Sequence, residues 1–354
     1  MVTAGSTALP RSGSSSARLG WVDTGRGLAI ALVALYHAGN WLAKTPLDVQ
    51  LWRDFSTVVS SLRMPLFFLL AGLFAPKWLD SSWSSLVRSK TLLFWWVFLV
   101  WTAIGTLVYP LGLAAGGQRT GLRDQVEGLL LAPVLPRFEL WFIWALSLFF
   151  LLAKATRRVD PRWQLAATGV LSAVALTVWL DTTTGWSGAA KFYFFFLLGV
   201  YGRQAATAVA ARVRPLNGAV VLLLWAGCSV TLHLYGLRHV PGLYFLDCLL
   251  GVVAGIVVAR ALSRVEWLAR IGQQTLPIYL AHTPLLLLMV FLVSRDGLVD
   301  VLAGAGWLVA PVTAALAVAG ALGLHRLLER MGAGWVYAPP APLVRRLAGA
   351  RGSR

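Results

Sequence analysis

The chain contains a series of apolar stretches, each about 20 residues long, which constrain its fold more than any other feature. A helix of that length can cross the hydrocarbon core of a bilayer. Apolar side chains make up 58% of the chain and charged ones 13%, whereas a soluble domain averages about 45–50% and about 25%. The sequence therefore predicts an all-α integral membrane protein with about ten transmembrane helices. The predicted spans lie near residues 21–42, 58–76, 91–114, 139–154, 163–181, 187–203, 217–236, 243–260, 272–294 and 301–326.

The net charge of +17 raises the question of nucleic-acid binding. Most of the 31 Lys and Arg residues, however, lie in alternating loops and in the C-terminal segment. These segments all face the cytoplasm if the N-terminus does, which is the arrangement that the positive-inside rule describes. The sequence therefore predicts a multi-pass protein of the cell inner (plasma) membrane, with cytoplasmic N- and C-termini, a lipid bilayer around it and no nucleic-acid partner.

The loops are short, so the sequence predicts one membrane domain, residues 19–330, between two tails. Residues 1–18 are rich in Ser and Gly and are predicted to form a disordered cytoplasmic tail. Residues 331–354 form a predicted cytoplasmic basic tail, with disorder expected from residue 339 onward. The longest outer loop, near 115–138, could form a re-entrant or interfacial segment.

Several motifs of soluble enzymes and metal sites are absent from the sequence, which argues against those classes. The sequence has no GxSxG, HExxH, Walker A or CxxC pattern. Its two cysteines, Cys228 and Cys248, both fall inside apolar spans, where a cysteine usually behaves as a small hydrophobic residue. We expect neither a disulfide nor a metal site.

The first predicted span, WVDTGRGLAIALVALYHAGNW, contains an acid, a guanidinium and an imidazole. Asp23, Arg26 and His37 are spaced to share one face of an α-helix, with Arg26 and His37 about 16 Å apart along its axis. A charge at the centre of a lipid-exposed helix costs roughly 2.5–3.5 kcal/mol, so such residues usually face the protein interior. Two interpretations are open: an ion pair at the helix start with a packed histidine, or an intramembrane site.

The residue types on this face suit one kind of chemistry. An imidazole has an ordinary pKa of about 6.5 and can take a proton from a hydroxyl near neutral pH. An arginine at the other end can bind a phosphate or carboxylate through two parallel hydrogen bonds. A phosphate-bearing thioester, held at Arg26 with its reactive group near His37, would fit this face.

Five sequence blocks, in order, resemble those of the membrane acyltransferase 3 family, which includes bacterial sugar O-acetylases. Each block alone is weak, but their order is specific and extends over about residues 21–290. The first contains the family's Arg-x10-His spacing, as Arg26 and His37. The similar blocks are DTGRGLAIALVALYH, SLRMPLFFLLAGLFAPK, ELWFIWALSLFF, KFYFFFLLGVYGR and IGQQTLPIYLAHTPLLL.

The resemblance implies an enzyme that moves an acyl group, usually acetyl from acetyl-CoA, to a hydroxyl of a sugar, glycan or glycoside. It implies a catalytic role for His37 and an acyl-donor contact for Arg26, with no permanently bound cofactor. Many relatives have two arginines three residues apart at the start of the third helix, and the partial match here assigns CoA-phosphate contacts to Arg88 and Lys90. Arg63 stands where many relatives have histidine.

Three further polar or aromatic residues are supporting candidates. Glu139 lies at the outer end of a predicted helix, where it could be a solvated cap or could orient an acceptor sugar. Trp141 is expected to be an interfacial anchor. Asp247 lies within an apolar span and should face the interior, where it could pair with an arginine or orient His37.

Tyr279 and His282 are one helical turn apart on the ninth predicted span. His282 could act as a second acid or base. Alternatively, it could hydrogen-bond a carbonyl that Pro284 leaves without a donor, which is the interpretation that we favour.

The predicted protein is thus a membrane O-acyltransferase in which His37 deprotonates an acceptor hydroxyl. Direct transfer and a covalent acyl intermediate are both compatible with the sequence. The alternative is a transporter or flippase of glycans or lipid-linked sugars, because interior charges also mark transport paths. A purely structural subunit would leave the polar face of the first span unexplained. The oligomeric state is open, and a homo-oligomer is compatible with the sequence.

Overall fold

The computed structural model describes residues 20–178, 184–294 and 298–349, and within these ranges it is helical, with no strand. The predicted tail of residues 1–18 lies outside the described residues. The α-helices are α1 Gly20–Leu42, α2 Gln50–Val58, α3 Ser60–Gly72, α4 Pro76–Leu79, α5 Trp83–Leu86, α6 Leu92–Ala115, α7 Leu122–Leu131, α8 Trp141–Ala155, α9 Pro161–Val178, α10 Thr184–Tyr201, α11 Arg203–Arg212, α12 Pro215–Leu234, α13 Leu243–Ala261, α14 Glu266–Gln273, α15 Thr275–Val293, α16 Leu298–Ala303, α17 Gly306–Arg330 and α18 Ala341–Gly349.

Two kinds of short helical segment supplement these helices. A π-helical turn, Val87–Thr91, joins α5 to α6. Three 3₁₀ turns lie at Phe138–Leu140, Leu237–His239 and Gly334–Val336.

Six helical stretches of the described chain are long and apolar enough to cross a membrane, or up to eight if each of two bent helix pairs counts as one span. The prediction of an all-α, multi-pass membrane protein is confirmed, but this count is lower than the predicted ten. The polar residues of α1 lower its mean hydropathy, so α1 is not among the six. The predicted span 163–181 corresponds to α9, and its last residues, 179–181, lie outside the described chain.

In each bent pair one helix corresponds to a predicted span, α3 to 58–76 and α10 to 187–203, and the other is a shorter helix that the sequence analysis did not predict. The α2–α3 pair is bent by 52° and the α10–α11 pair by 79°. Because α3 starts at the bend, Arg63 lies in its first turn, at the same end of the bundle as the C-terminal end of α1.

Helix α1 lies at the centre of the bundle, in contact with α3, α13, α14, α15 and α17. Its closest approach is to α14, where two glycines let the backbones touch. A Cβ atom on Gly27 would lie 2.0 Å from the carbonyl oxygen of Leu268, and one on Gly272 would lie 1.7 Å from that of Asp23. This contact fixes the position of the polar face of α1.

A second glycine contact joins α3 to α10. A Cβ atom on Gly72 would lie 2.1 Å from the carbonyl oxygen of Phe196 and 3.0 Å from the Cα of Gly199. Near this contact, the buried ring of Phe68 packs against Phe142 and Phe192, which joins α3 to both α8 and α10. Aromatic packing of this kind stabilises the wall on which the site described below is built.

We expect Gly72→Ala to destabilise the protein by about 1–3 kcal/mol, because the added methyl group has no space between the two backbones. Thermal unfolding of the purified protein in detergent would show this as a lower melting temperature. Gly323→Ala is the matched control, since a Cβ atom there meets nothing within 4 Å. An unchanged melting temperature for Gly72→Ala would mean that the two backbones are not in contact.

The chain just after α17 packs against α6 through two hydrogen bonds. Trp96 Nε1 donates a hydrogen bond to the Trp335 carbonyl (2.6 Å), and Trp101 Nε1 donates one to the Val336 carbonyl (3.0 Å). The expectation of disorder from residue 339 onward is wrong for α18, which is helical. The sequence of α18, APLVRRLAG, is amphipathic. The helix was not predicted because the segment around it is rich in Pro and Arg.

Candidate functional site

A cavity of about 190 Å³ lies at the C-terminal end of α1 and contains His37 in its wall. The wall is formed by α1, the first two turns of α3, the start of α8 with the 3₁₀ turn before it, the first residue of α10, and α15. The lining residues are Val33, Tyr36, His37, Arg63, Met64, Phe67, Glu139, Trp141, Phe142, Thr184 and Tyr279.

The two ionisable groups closest to each other in this cavity are His37 and Glu139. His37 Nδ1 lies 3.5 Å from Glu139 Oε1, and their side chains are 15% and 17% exposed. Trp41 Nε1 donates a hydrogen bond to the same carboxylate oxygen, at 3.3 Å. The carboxylate therefore faces one nitrogen of the imidazole, as the third member of a nucleophile–base–carboxylate arrangement does.

An unusual backbone conformation places Glu139. The preceding residue, Phe138, has a φ of +61°, the only positive φ at a non-glycine residue in the described chain. Such a conformation costs about 1–3 kcal/mol and persists only where its surroundings enforce it. Here the ring of Phe138 lies 3.8 Å from that of Tyr109, and the hydroxyl of Tyr279 donates a hydrogen bond to the Glu139 carbonyl.

His282 is fully buried and its ring centroid lies 5.3 Å from that of His37. Its Nδ1 lies 3.0 Å from the carbonyl oxygen of Ile278 and 2.8 Å from that of Tyr279. Since a carbonyl can only accept, Nδ1 carries the proton, and Nε2 is left to accept from the Thr283 hydroxyl at 3.2 Å. Both nitrogens are thus occupied, so the geometry favours the packing role that we predicted.

The details of that role differ from the expectation. The carbonyl that Pro284 leaves without its helical donor belongs to Leu280, four residues earlier. His282 instead hydrogen-bonds the carbonyls of Ile278 and Tyr279, the two residues before Leu280.

The sequence analysis noted Arg63 only because many related chains have histidine at this position. The structure places it in the cavity wall, 6% exposed, with its guanidinium carbon 4.1 Å from the centroid of the Tyr36 ring.

The other end of α1 carries a second group of cations among aromatic rings. The guanidinium carbon of Arg26 lies 4.5 Å from the Phe74 ring centroid, and Lys90 Nζ lies 4.8 Å from that of Trp78. Lys90 is close enough to Arg26 for their charges to repel each other. Asp23 accepts a hydrogen bond from Gln273 Nε2 at 3.1 Å.

Arg88 and Lys90 share the π-helical turn, but they face different surroundings. Arg88 lines a separate cavity of about 440 Å³ with Trp83 and Trp95. Turns of this kind inside α-helices are frequent at functional sites. Of these two predicted donor contacts, the structure thus brings Lys90 next to Arg26.

Asp247 does not lie beside His37, contrary to one of the two roles that we considered. It is fully buried and accepts hydrogen bonds from the Ser229 hydroxyl, at 2.8 and 2.7 Å. Ser229 in turn contacts Ser61 at 3.0 Å, and Trp225 Nε1 donates to Ser61. This polar network joins α3, α12 and α13, and no arginine within 4 Å pairs with Asp247 in the described chain.

Two residues of the site were not anticipated. Trp41 lies one helical turn after His37, so its position on the same face was a signal that could have been used. Tyr36 is adjacent to His37, and it was not singled out because it lies in an apolar run. Trp141, expected to be an interfacial anchor, is also a lining residue of the cavity.

The arrangement combines an imidazole and a neighbouring carboxylate at one end of α1 with a group of cations at the other. The acyltransferase 3 family, described as an acyltransferase domain, matches residues 19–326, which is most of the chain. No match was found among curated proteins or among solved structures. The apolar helices agree with a multi-pass membrane protein. The chain therefore belongs to the acyltransferase 3 family of membrane acyltransferases.

Proposed function

We propose that the protein is an O-acyltransferase that moves an acetyl group from acetyl-CoA to a hydroxyl of a sugar, glycan or glycoside. The observation that carries this proposal is the pairing of His37 with Glu139 in the wall of a cavity, at the opposite end of α1 from the cations Arg26 and Lys90. One end can hold a phosphorylated donor while the other activates a hydroxyl.

The donor binds through its phosphates at Arg26 and Lys90. The neighbouring rings of Phe74 and Trp78 offer flat surfaces on which a nucleotide base can stack. Arg88, beside the larger cavity, lies at the approach to this site. The thioester must then extend about 16 Å along α1 to reach His37.

The chemical step begins when the acceptor hydroxyl gives its proton to Nε2 of His37. The hydroxyl oxygen attacks the thioester carbonyl carbon, a new C–O bond forms, and the C–S bond breaks. The CoA sulfur leaves as a thiolate and takes the proton back from the imidazolium. Glu139, facing Nδ1, holds the ring in position and stabilises its transient positive charge.

In the membrane, the Arg26 end faces the cytoplasm, where acyl-CoA is made, and the His37 end faces the outer side. Both termini are then cytoplasmic, and α1 and α9 join the apolar helices as spans, for a total of about ten. The acceptor reaches His37 from the outer side of the inner membrane.

The proposal is tested by incubating membranes that contain the protein with labelled acetyl-CoA and methyl glycosides or extracted envelope glycans. We expect label to enter the glycan fraction only when the protein is present. Movement of glycans across the membrane without acyl-CoA, and with no label incorporated, would favour the transporter or flippase.

We expect Arg26→Met to raise the KM for acetyl-CoA by about tenfold or more, because a charge-assisted hydrogen bond contributes about 1.5–3 kcal/mol. The kcat at saturating donor should change much less. Steady-state kinetics at varied acetyl-CoA would measure both. Arg212→Met, at an exposed position on α11, is the matched control and should behave as wild type. A lowered kcat with an unchanged KM would place Arg26 in the chemical step instead.

A further inference from the structure

Among the described residues that line the His37 cavity, Arg63 is the one arginine or lysine, and the acetyl-transfer step proposed for His37 does not use it. We infer that Arg63 binds an anionic group of the acceptor, so that the preferred acceptor is a sugar that carries a carboxylate or a phosphate as well as the hydroxyl that is acylated. This inference rests on the proposed function and specifies its acceptor.

The first observation is that Arg63 has no anion beside it among the residues that the structure describes. Its side chain is 94% buried, and within the described chain no carboxylate lies within 4 Å of it. Its Nη1 atom is buried and has no hydrogen-bond partner there. Burying an uncompensated charge is costly unless a partner is supplied, and the Tyr36 ring is only a weak one.

The carboxylate in the described part of the same cavity wall, Glu139, does not pair with Arg63 within 4 Å, and one of its oxygens is engaged elsewhere. Glu139 Oε1 faces His37 and accepts from Trp41. The other oxygen, Oε2, is buried and has no hydrogen-bond partner in the described chain. The cavity wall therefore contains both an unpartnered donor, on Arg63, and an unpartnered acceptor, on Glu139. A sugar with an anionic group and hydroxyls supplies partners for both.

The position of Arg63 assigns the anion to the acceptor rather than to CoA. Arg63 lies in the first turn of α3, beside Tyr36 of α1. Later in α3, Leu70 is the residue next to Gly25. Seven residues of helix separate Arg63 from Leu70, which is about 10 Å. The CoA phosphates held near Arg26 are therefore out of reach of Arg63.

The size of the cavity limits where the anionic group can be. At about 190 Å³, it is smaller than the range of about 300–1,000 Å³ typical of pockets for drug-sized ligands. It has room for one sugar ring rather than for several. The anionic group must therefore belong to the same sugar residue as the hydroxyl that faces His37.

The test measures binding to the purified wild-type protein in detergent, without acetyl-CoA, for methyl β-glucoside, methyl β-glucuronide and glucose 6-phosphate. We expect an anionic sugar to bind about 10- to 100-fold more tightly than the glucoside, the range that a charge-assisted pair provides. The better of the two anionic sugars distinguishes a carboxylate from a phosphate. In Arg63→Gln the ratio should fall to about one.

Two matched variants keep this test decisive. Arg63→Lys keeps the charge without the fork geometry and should keep a reduced preference. Arg53→Gln, exposed on α2, should keep the wild-type ratio. If Arg63→Gln does not fold, the wild-type ratio and that of Arg63→Lys still decide the matter.

The inference is overturned if the wild-type protein binds the glucoside as tightly as both anionic sugars, or binds none of the three. It is also overturned if Arg63→Gln slows acetylation of neutral and anionic glycosides by the same factor, because Arg63 would then stabilise the reaction's oxyanion. Transfer of acetyl groups without regard to acceptor charge would leave the proposed function intact. Charge-selective binding without any transfer would reject the enzyme assignment instead.

Discussion

Replacing His37 with alanine should reduce acetyl transfer by about 10³-fold, within the range of about 10²–10⁴ that general acid–base catalysis contributes. The effect is large because no other imidazole can take its place. His282 is the nearest, and its two nitrogens are occupied by Ile278, Tyr279 and Thr283. The rate of label transfer from acetyl-CoA, at equal amounts of purified protein, measures the loss.

The matched control is His233→Ala. His233 lies on α12 near Asp54 and outside the cavity, so its removal should leave the rate within about twofold of wild type. A His37→Ala variant that is folded and retains more than a tenth of the wild-type rate would show that His37 is not the base.

The second large effect is expected for Glu139→Gln, which should lower kcat by about 10²-fold. Loss of the carboxylate behind a catalytic histidine costs about 10⁴-fold in serine proteases. We expect less here because the 3.5 Å contact is long and because the ring of Tyr36 also packs against His37. The KM for acetyl-CoA should stay near the wild-type value, since the donor contacts lie at the other end of α1.

Glu266→Gln is the control for this substitution, because Glu266 is exposed on α14 and pairs only with Arg270 among the described residues. If Glu139→Gln raised KM for the acceptor and left kcat unchanged, Glu139 would bind the sugar rather than position His37. That result would support the other role that the sequence analysis considered for Glu139, which is to orient the acceptor sugar.

The first helix shows what could be predicted from the sequence. A same-face spacing is a local property, so the positions of Asp23, Arg26 and His37 on one helix followed from 3.6 residues per turn. The five ordered blocks identified the family for the same reason. Two of them contain Gly72 and Gly199, whose close contact explains why each apolar run includes a glycine.

The partner of His37 could not be predicted in this way. Asp247 drew attention because it interrupts an apolar run, yet it belongs to a serine network with Ser61 and Ser229. Glu139 looked like a helix end open to solvent. Hydropathy reports how apolar a segment is, and it does not report which helices contact one another. The contact between Trp41 and Glu139 spans 98 positions of the chain and exists only in the folded bundle.

Helix bends also escaped the sequence analysis. The two breaks lie at Val59 and Gly202, at the edges of the predicted spans 58–76 and 187–203, and neither residue is a proline that would have marked a bend. Because α3 begins at such a break, Arg63 enters the cavity in the first turn of a new helix.

The most direct test of the account counts both products of the reaction in one vessel. Purified protein, acetyl-CoA and a methyl glycoside are mixed, and free CoA thiol and acetyl ester are measured together over time. The account predicts one ester for each thiol released, and neither product above background with His37→Ala. Thiol release without ester, or ester formation by His37→Ala at the wild-type rate, would contradict it.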